Sequence, residues 1–209
     1  MSNTQNAAAE SAAVREKTNQ EALKKIVFTG VFAAITFVVF TYLSIPIPTV
    51  GGGKVTVHLG NAFVVLGALI LGSMYGGVGG ALGLTIADLI DPMYIAQSPL
   101  TFAVKLVMGI IVGLIAHKAG HISTQTDRKK ILFWVIVAVV VGMAYNSVVD
   151  PVARYFYKLL ILGKPAATLS LSINVVVTLI NSVVSAVLTV VLYMALRTPL
   201  KKLGMLFEI

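Results

Sequence analysis

The sequence contains no cysteine, and only 11% of its 209 residues are charged. The absence of cysteine excludes disulfides, thiolate nucleophiles and cysteine-ligated metals. Soluble domains carry about 25% charged residues, so this low fraction, together with 57% hydrophobic residues, excludes an ordinary soluble protein. The sequence also lacks a Gly-x4-Gly-Lys-Ser/Thr phosphate loop, so the chain is not expected to hydrolyse ATP itself.

Long apolar runs take the place of charge, and they predict an all-α bundle of six transmembrane helices. The runs are Lys24–Leu43, Leu59–Leu71, Tyr75–Leu89, Pro99–Ala116, Ile131–Val149 and Leu169–Leu196. Residues 1–22 are polar and are expected to form a flexible cytoplasmic lead, so that residues 23–209 make one membrane domain.

Connections between the runs are marked by proline, glycine and aromatic residues. Pro46 and Pro48 end the first helix, and the glycines at 51–53 that follow predict a mobile external loop that acts as a lid. The segment Pro151–Leu169 mixes basic, aromatic and aliphatic residues and is expected to be a helix lying on the lipid headgroups.

The net charge of +8 follows a topology pattern, and no nucleic-acid partner is expected. Basic residues accumulate before the first helix, between the fourth and fifth helices and after the sixth. The opposite side holds only Lys54, Arg154, Lys158 and Lys164. Positive charge marks the cytoplasmic side of a bilayer, so both termini are expected to be cytoplasmic.

Lys105 lies about six residues inside an apolar helix that carries no other charge. A lysine near the centre of a membrane helix costs on the order of 2.5–3.5 kcal/mol, so it requires a polar cavity, a carboxylate partner or a ligand. Asp88 is one candidate partner. The two residues would form a pair that locks the third helix to the fourth, form a pair that also contacts a ligand, or occupy unrelated positions.

Polar residues of five of the six predicted helices fall at one level, near the outer side of the bundle. This convergence predicts an outward-opening pocket for a small polar molecule. Its cation, carboxylates, carboxamides and aromatic rings suit a small neutral heteroaromatic compound that carries hydroxyl groups. The candidate binding residues are His58, Asn61, Asp88, Tyr94, Lys105, Asn146, Asp150 and Asn174.

Nothing in the sequence favours catalysis or a metal. Asp88 and Asp91 have a spacing seen in membrane phosphotransferases, but the second acidic cluster of those enzymes is missing. The three histidines, His58, His117 and His121, are scattered and do not form a convincing metal site. The chain is therefore expected to be neither an enzyme nor a metal or cofactor protein.

Small residues on the first helix form two pairs at a spacing of four, Thr29 with Ala33 and Gly30 with Ala34. Such pairs let helices approach closely. From the residues alone, packing inside the bundle and docking to a partner are equally supported.

Several motifs together resemble the substrate-binding S components of energy-coupling factor (ECF) vitamin transporters, in the subgroup of predicted pyridoxine and hydroxymethylpyrimidine carriers. The motifs are Ile45–Pro48, Val57–Ala62, Leu71–Gly76 with Gly80, Asp88, and Thr101–Phe102 before Lys105 and Gly109. The resemblance covers Lys24 to Arg197, and its specific part runs from His58 to Gly109.

The resemblance implies a multi-pass subunit of a prokaryotic plasma membrane that captures a vitamin from outside. The subunit would dock on a transmembrane scaffold subunit driven by two cytoplasmic ATPase subunits. Its docking motif would correspond to Thr29 and Ala33 or to Gly30 and Ala34. Binding residues in the family come from the first loop and from helices four to six, which supports Lys105, Asn146, Asp150 and Asn174. The alternative is a self-sufficient proton-coupled secondary transporter, which would need two gates from six helices.

Overall fold

The computed structural model is a helical bundle with one small β-hairpin. In chain order its elements are α1 (Ser2–Tyr42), β1 (Ser44–Thr49), β2 (Gly53–His58), α2 (Gly60–Leu71), α3 (Ser73–Ile90), α4 (Ser98–Gly113), α5 (Arg128–Phe156) and α6 (Ala167–Lys202). A 3-10 turn, Ile95–Gln97, precedes α4, and π-helical turns extend α4 to Ala119 and α5 to Ile161.

The structure describes residues 2–49, 53–163, 167–203 and 207, and side chains within 14–49, 53–163, 171–203 and 207. Gly51 and Gly52 of the predicted lid and Lys164 lie outside these ranges. The predicted lead is helical from Ser2 and continuous with the membrane part of α1. Its flexibility stays a prediction.

Five helices in the described ranges, α1, α3, α4, α5 and α6, are long and apolar enough to cross a membrane. The sequence prediction of a multi-helix membrane bundle is confirmed in these five. The remaining helix, α2, has 12 residues and rises about 18 Å, which is shorter than a bilayer core of about 30 Å.

The short helix α2 lies in the centre of the bundle. It packs against α1, α3, α4 and α6, and Val64, Val65 and Leu69 on it are fully buried. A helix that is apolar on every face is stable only when other helices surround it. Because α2 is too short to span the bilayer, the neighbouring helices and not the lipid provide its apolar surroundings.

Glycines allow the central helices to approach at backbone distance. A Cβ added to Gly76 on α3 would collide with the Gly67 backbone of α2, and one added to Gly109 on α4 would collide with Gly77 of α3. These glycines are therefore packing positions inside the bundle. These contacts hold together the helices that carry Asp88 and Lys105.

Two connections differ from their predictions. The loop after α1 is an antiparallel hairpin in which Ser44 pairs with His58 and Thr49 with Gly53. Pro46 and Pro48 fit because β1 is an edge strand, where a missing N–H breaks no sheet ladder.

The interfacial helix predicted over Pro151–Leu169 is wrong in its first part, because α5 continues through Pro151 to Phe156. Pro151 is buried, and an Arg154–Asp150 ion pair joins the turns on either side of it. Pro151 has no backbone N–H, so one helical hydrogen bond is missing there. The Asp150–Arg154 pair supports the helix across this position. Arg154 consequently lies on a membrane helix.

Candidate functional site

Lys105 lies inside α4 and is almost fully buried, with 3% of its surface exposed. Its Nζ lies 3.0 Å from Asp150 Oδ1 and also donates a hydrogen bond to Asn146 Oδ1. Asn146 and Asp150 are one turn apart on α5, so they share the face that meets α4. Asn146 is fixed in turn, because its Nδ2 donates to Ser182 Oγ on α6 at 3.3 Å.

Arg154 supplies a second cation to the same carboxylate. Its Nε donates to Asp150 Oδ2 at 2.8 Å, and its Nη2 donates to Thr101 Oγ1 at 3.0 Å. Asp150 therefore lies between Lys105 and Arg154. An ion buried in this way is stable only when its charge is paired and its remaining donors or acceptors are hydrogen-bonded.

Asp88 on α3 joins this network through Thr101. The Thr101 hydroxyl donates to Asp88 Oδ2 while it accepts from Arg154. Asp88 is 3% exposed. The cluster thus combines two carboxylates and two cations, and it connects α3, α4 and α5 at one end of the bundle.

The β-hairpin covers the cluster and is held by Asn181 of α6. The His58 backbone N–H donates to Asn181 Oδ1 at 3.0 Å, and Asn181 Nδ2 donates to the Thr56 carbonyl oxygen, also at 3.0 Å. One carboxamide therefore satisfies a donor and an acceptor of β2 that have no partner strand on that side.

Tyr94, just before the 3-10 turn, holds the other end of β2. Its hydroxyl donates to the Lys54 carbonyl oxygen at 3.0 Å and lies 3.0 Å from Thr56 Oγ1, which donates to it. Lys54 Nζ lies 2.6 Å from Asp91 Oδ2 at the end of α3. The hairpin is thereby attached to α3, α6 and the loop before α4.

The hairpin and the cluster surround a small cavity of about 50 Å³. Small-molecule sites typically measure about 300–1,000 Å³, so a ligand of vitamin size enters only when the hairpin or the lining side chains move apart. The apolar part of the cavity wall is formed by Phe40, Val55 and Leu84. The polar side chains that line it are Thr56, His58, Asp88, Tyr94, Thr101, Lys105, Asp150, Arg154, Thr178 and Asn181.

Burial and two nearby cations determine the protonation of His58. Burial is the larger cause, and with the charges of Lys105 and Arg154 it lowers the pKa of His58 to about 3, although Asp150 acts in the opposite direction. The ring is therefore neutral at pH 7, and its Nδ1 accepts a hydrogen bond from the Gly60 N–H at 3.1 Å. Burial likewise raises the pKa of Tyr94, which remains a protonated phenol.

Comparison with known proteins decides the family. A family model described as "ECF-type riboflavin transporter, S component" matches residues 20–198. This chain belongs to that family. The S component is thus a substrate-binding subunit of an ECF transporter and a multi-pass membrane protein, in a family that works with scaffold and ATPase modules.

More specific relatives are distant. UPF0397 proteins from serotypes Ia, V and III of Streptococcus agalactiae are each 27% identical to this S component over 139 residues, covering 66% of this chain and 74% of the relative. The structure described as "Structure and mechanism of the S component of a bacterial ECF transporter" is 19% identical and covers 88% of this chain and 99% of its own, with a TM-score of 0.59. At 19% identity, this likeness supports a shared fold alone.

Most of the binding residues predicted for this S component lie together. Five of them line the cavity, namely His58, Asp88, Tyr94, Lys105 and Asp150. Asn146 does not line it but accepts a hydrogen bond from Lys105, which does.

The predicted alternatives in which Lys105 pairs with Asp88 are wrong, because the ion-pair partner of Lys105 is Asp150. Asn61 and Asn174 are buried, at 1% and 6% exposure, on α2 and α6, but they do not line this cavity. Asn61 Oδ1 has no hydrogen-bond partner among the described residues. A role of these two residues in binding stays a prediction.

The sequence analysis did not identify five lining residues as binding candidates, namely Arg154, Thr101, Thr56, Thr178 and Asn181. The signal for Arg154 was its spacing of four from Asp150, which places both on one helical face. The predicted break at Pro151 hid that signal. Among side chains of residues 14–49, 53–163 and 171–203, no three His, Asp or Glu residues gather as a metal site.

The two small-residue pairs of α1 have different surroundings. A Cβ on Gly79 of α3 would lie 2.7 Å from the Thr29 carbonyl oxygen, and one on Gly83 would collide with the Ala33 carbonyl. Thr29 and Ala33 therefore pack against α3. Gly30 and Ala34 are exposed, and a Cβ on Gly30 would meet no atom within 4 Å.

Proposed function

We propose that this S component captures a small B-group vitamin or vitamin precursor in the cavity beneath the β-hairpin. Vitamin B6, as pyridoxine, is the first candidate and hydroxymethylpyrimidine the second. The observation that carries the proposal is the buried Lys105–Asp150–Arg154 cluster with Asp88, which lines a cavity closed by a hydrogen-bonded hairpin.

The cavity chemistry supports a small heteroaromatic ring with hydroxyl groups. Lys105 and Arg154 can donate to ring nitrogens or hydroxyl oxygens, and Asp88 and Asp150 can accept from hydroxymethyl groups. Tyr94 adds an aromatic ring with a protonated hydroxyl. In the empty cavity the ionic groups satisfy one another, and a ligand with both donors and acceptors replaces part of that network without leaving a charge unpaired.

The exposed face of α1 supports delivery through a partner. We infer that Gly30 and Ala34 form the docking strip for the transmembrane scaffold subunit, which two cytoplasmic ATPase subunits drive. The supporting observation is that these small residues leave a flat surface, whereas Thr29 and Ala33 are already occupied by α3.

Uptake into vesicles tests this function. The S component is reconstituted alone or with scaffold and ATPase subunits, and labelled pyridoxine is followed with ATP or with an imposed proton gradient. We expect uptake only when all subunits and ATP are present, and none with a non-hydrolysable ATP analogue. Uptake by the chain alone in response to a proton gradient would contradict the proposal and favour the secondary transporter.

A further inference from the structure

A basic groove lies at the end of the bundle opposite the cavity. It is formed by the first turn of α5 and the last turns of α6, and Arg128 lies 22 residues, or about 33 Å, along α5 from Asp150. The groove has about 980 Å³ of empty space. Arg128, Arg197, Lys201 and Lys202 contribute four cations, and no acidic side chain among the described residues lines it.

Arg197 is the buried member of this groove, with 8% of its surface exposed. Its Nη2 donates to the Gln125 carbonyl oxygen at 2.7 Å, and its Nη1 donates to the Tyr193 hydroxyl at 3.5 Å. Within the described ranges, no carboxylate lies close enough to form an ion pair with it. Because its partners among the described residues are all neutral, the buried guanidinium of Arg197 is suited to bind an added anion.

The surroundings of the groove indicate the kind of anion. The groove lies where membrane-spanning helices end, and the first turn of α5 adds the partial positive charge of a helix N-terminus. Ile131 and Met194 line its apolar side. Leu132, Phe133 and Val191 on the same two helices are exposed at 37%, 60% and 59%. The same two helices therefore also offer exposed apolar surface to the acyl chains of a lipid whose phosphate lies in the groove.

We propose that this groove binds the phosphate headgroup of an anionic phospholipid. Arg197 and Arg128 contact the phosphate, Lys201 and Lys202 neutralise its charge, and the acyl chains lie along Phe133 and Val191. Basic pockets between membrane helices at the cytoplasmic surface are suited to such headgroups. Occupation of this site clamps the start of α5 to the end of α6.

Thermal unfolding and native mass spectrometry of the purified full-length chain test the site. Phosphatidylglycerol, phosphatidylcholine or inorganic phosphate is added to the protein in neutral detergent. We expect phosphatidylglycerol alone to raise the unfolding midpoint and to remain bound. No shift with phosphatidylglycerol would overturn the proposal. Equal protection by inorganic phosphate would overturn the lipid as occupant and assign the groove to a soluble phosphate.

Matched variants separate this groove from general surface charge. Arg128→Gln with Lys201→Gln removes two groove cations, and we expect the retention of phosphatidylglycerol to fall about tenfold or more. Lys129→Gln with Lys130→Gln removes the same charge from exposed positions that do not line the groove. We expect little change in that control. Equal losses in both variants, with unfolding midpoints unchanged in the absence of lipid, would overturn the proposal.

Discussion

Asp150 links the two cations of the cavity, because it forms ion pairs with both Lys105 and Arg154. Replacement by asparagine keeps the shape but leaves two buried cations without their shared carboxylate. We expect Asp150→Asn to reduce the free energy of unfolding by about 3–5 kcal/mol. Chemical denaturation of the purified chain in detergent measures this loss.

Lys105→Met provides the control for that prediction, because Asp150 keeps its pairing with Arg154. Its loss of stability should be smaller than that of Asp150→Asn, and the double variant should recover part of the Asp150→Asn loss, since one cation leaves with the carboxylate. Strictly additive losses would show that the two side chains do not interact in the folded protein.

His58 makes stability depend on pH. Its pKa is about 3 in the fold and about 6.5 in an unfolded chain, so between these values the unfolded chain binds the extra proton. Stability is therefore complete above about pH 6.5 and falls on acidification, by at most about 1.4 kcal/mol per pH unit. Unfolding midpoints from pH 7 to pH 4.5 measure the slope.

His58→Asn is the matched variant, because asparagine can still accept a hydrogen bond from the Gly60 N–H and does not titrate. We expect a shallower loss of stability with acid in this variant than in the wild type. Identical slopes would show that His58 is accessible to protons in the folded state.

The charged residues show how far single positions could be predicted. Helix periodicity and distance to the helix ends were enough to predict that Asp88, Lys105 and Asp150 converge on one pocket. The partner of Lys105 was not predictable in this way, because it depends on the rotation of α4 against α5. That rotation is determined by packing between the helices, and it cannot be calculated from the distance of a residue to its helix end.

At the scale of elements, the β-hairpin depends on Asn181. Asn181→Ala removes both hydrogen bonds between α6 and β2, so we expect hydrogen exchange of the β2 amides to become about 30-fold faster, for roughly 1 kcal/mol per bond lost. Hydrogen-exchange mass spectrometry of residues 53–58 measures it. Asn174→Ala, two turns earlier on α6 and away from the cavity, should leave that exchange unchanged. Equal acceleration in both would contradict the attachment.

Elements were predictable where hydrophobicity alone determines them. The apolar runs predicted the helices, although most of their ends differ by several residues, because helix ends depend on local hydrogen bonds. The largest difference is at α1, which begins at Ser2 and not at Lys24. The pairing of β1 with β2 was not evident, since two prolines and three glycines are also typical of an open loop. The continuation of α5 through Pro151 depends on the Asp150–Arg154 pair. This pair is local in sequence, but its partners on α4 belong to the tertiary structure.

At the scale of the whole molecule, a change in the exposed strip of α1, Gly30 and Ala34, should affect transport but not ligand binding. Ala34→Leu adds bulk to the exposed face without touching α3, so ligand binding by the isolated chain should not change. ATP-driven uptake by the complete transporter should fall at least tenfold, because the close approach of helices is blocked. Ile35→Phe adds similar bulk at the edge of that face and should retain uptake. Lost binding in Ala34→Leu would contradict the separation of cavity and docking strip.

We propose that the isolated chain holds a small vitamin in the cavity beneath its hairpin. Equilibrium binding of pyridoxine, hydroxymethylpyrimidine and riboflavin to the purified wild type and to Lys105→Met measures this. We predict saturable binding of pyridoxine at one site, weakened about 5- to 150-fold in the variant, which corresponds to about 1–3 kcal/mol for an unsatisfied polar partner. Tight binding of riboflavin alone, or equal affinity of both proteins for pyridoxine, would contradict the account.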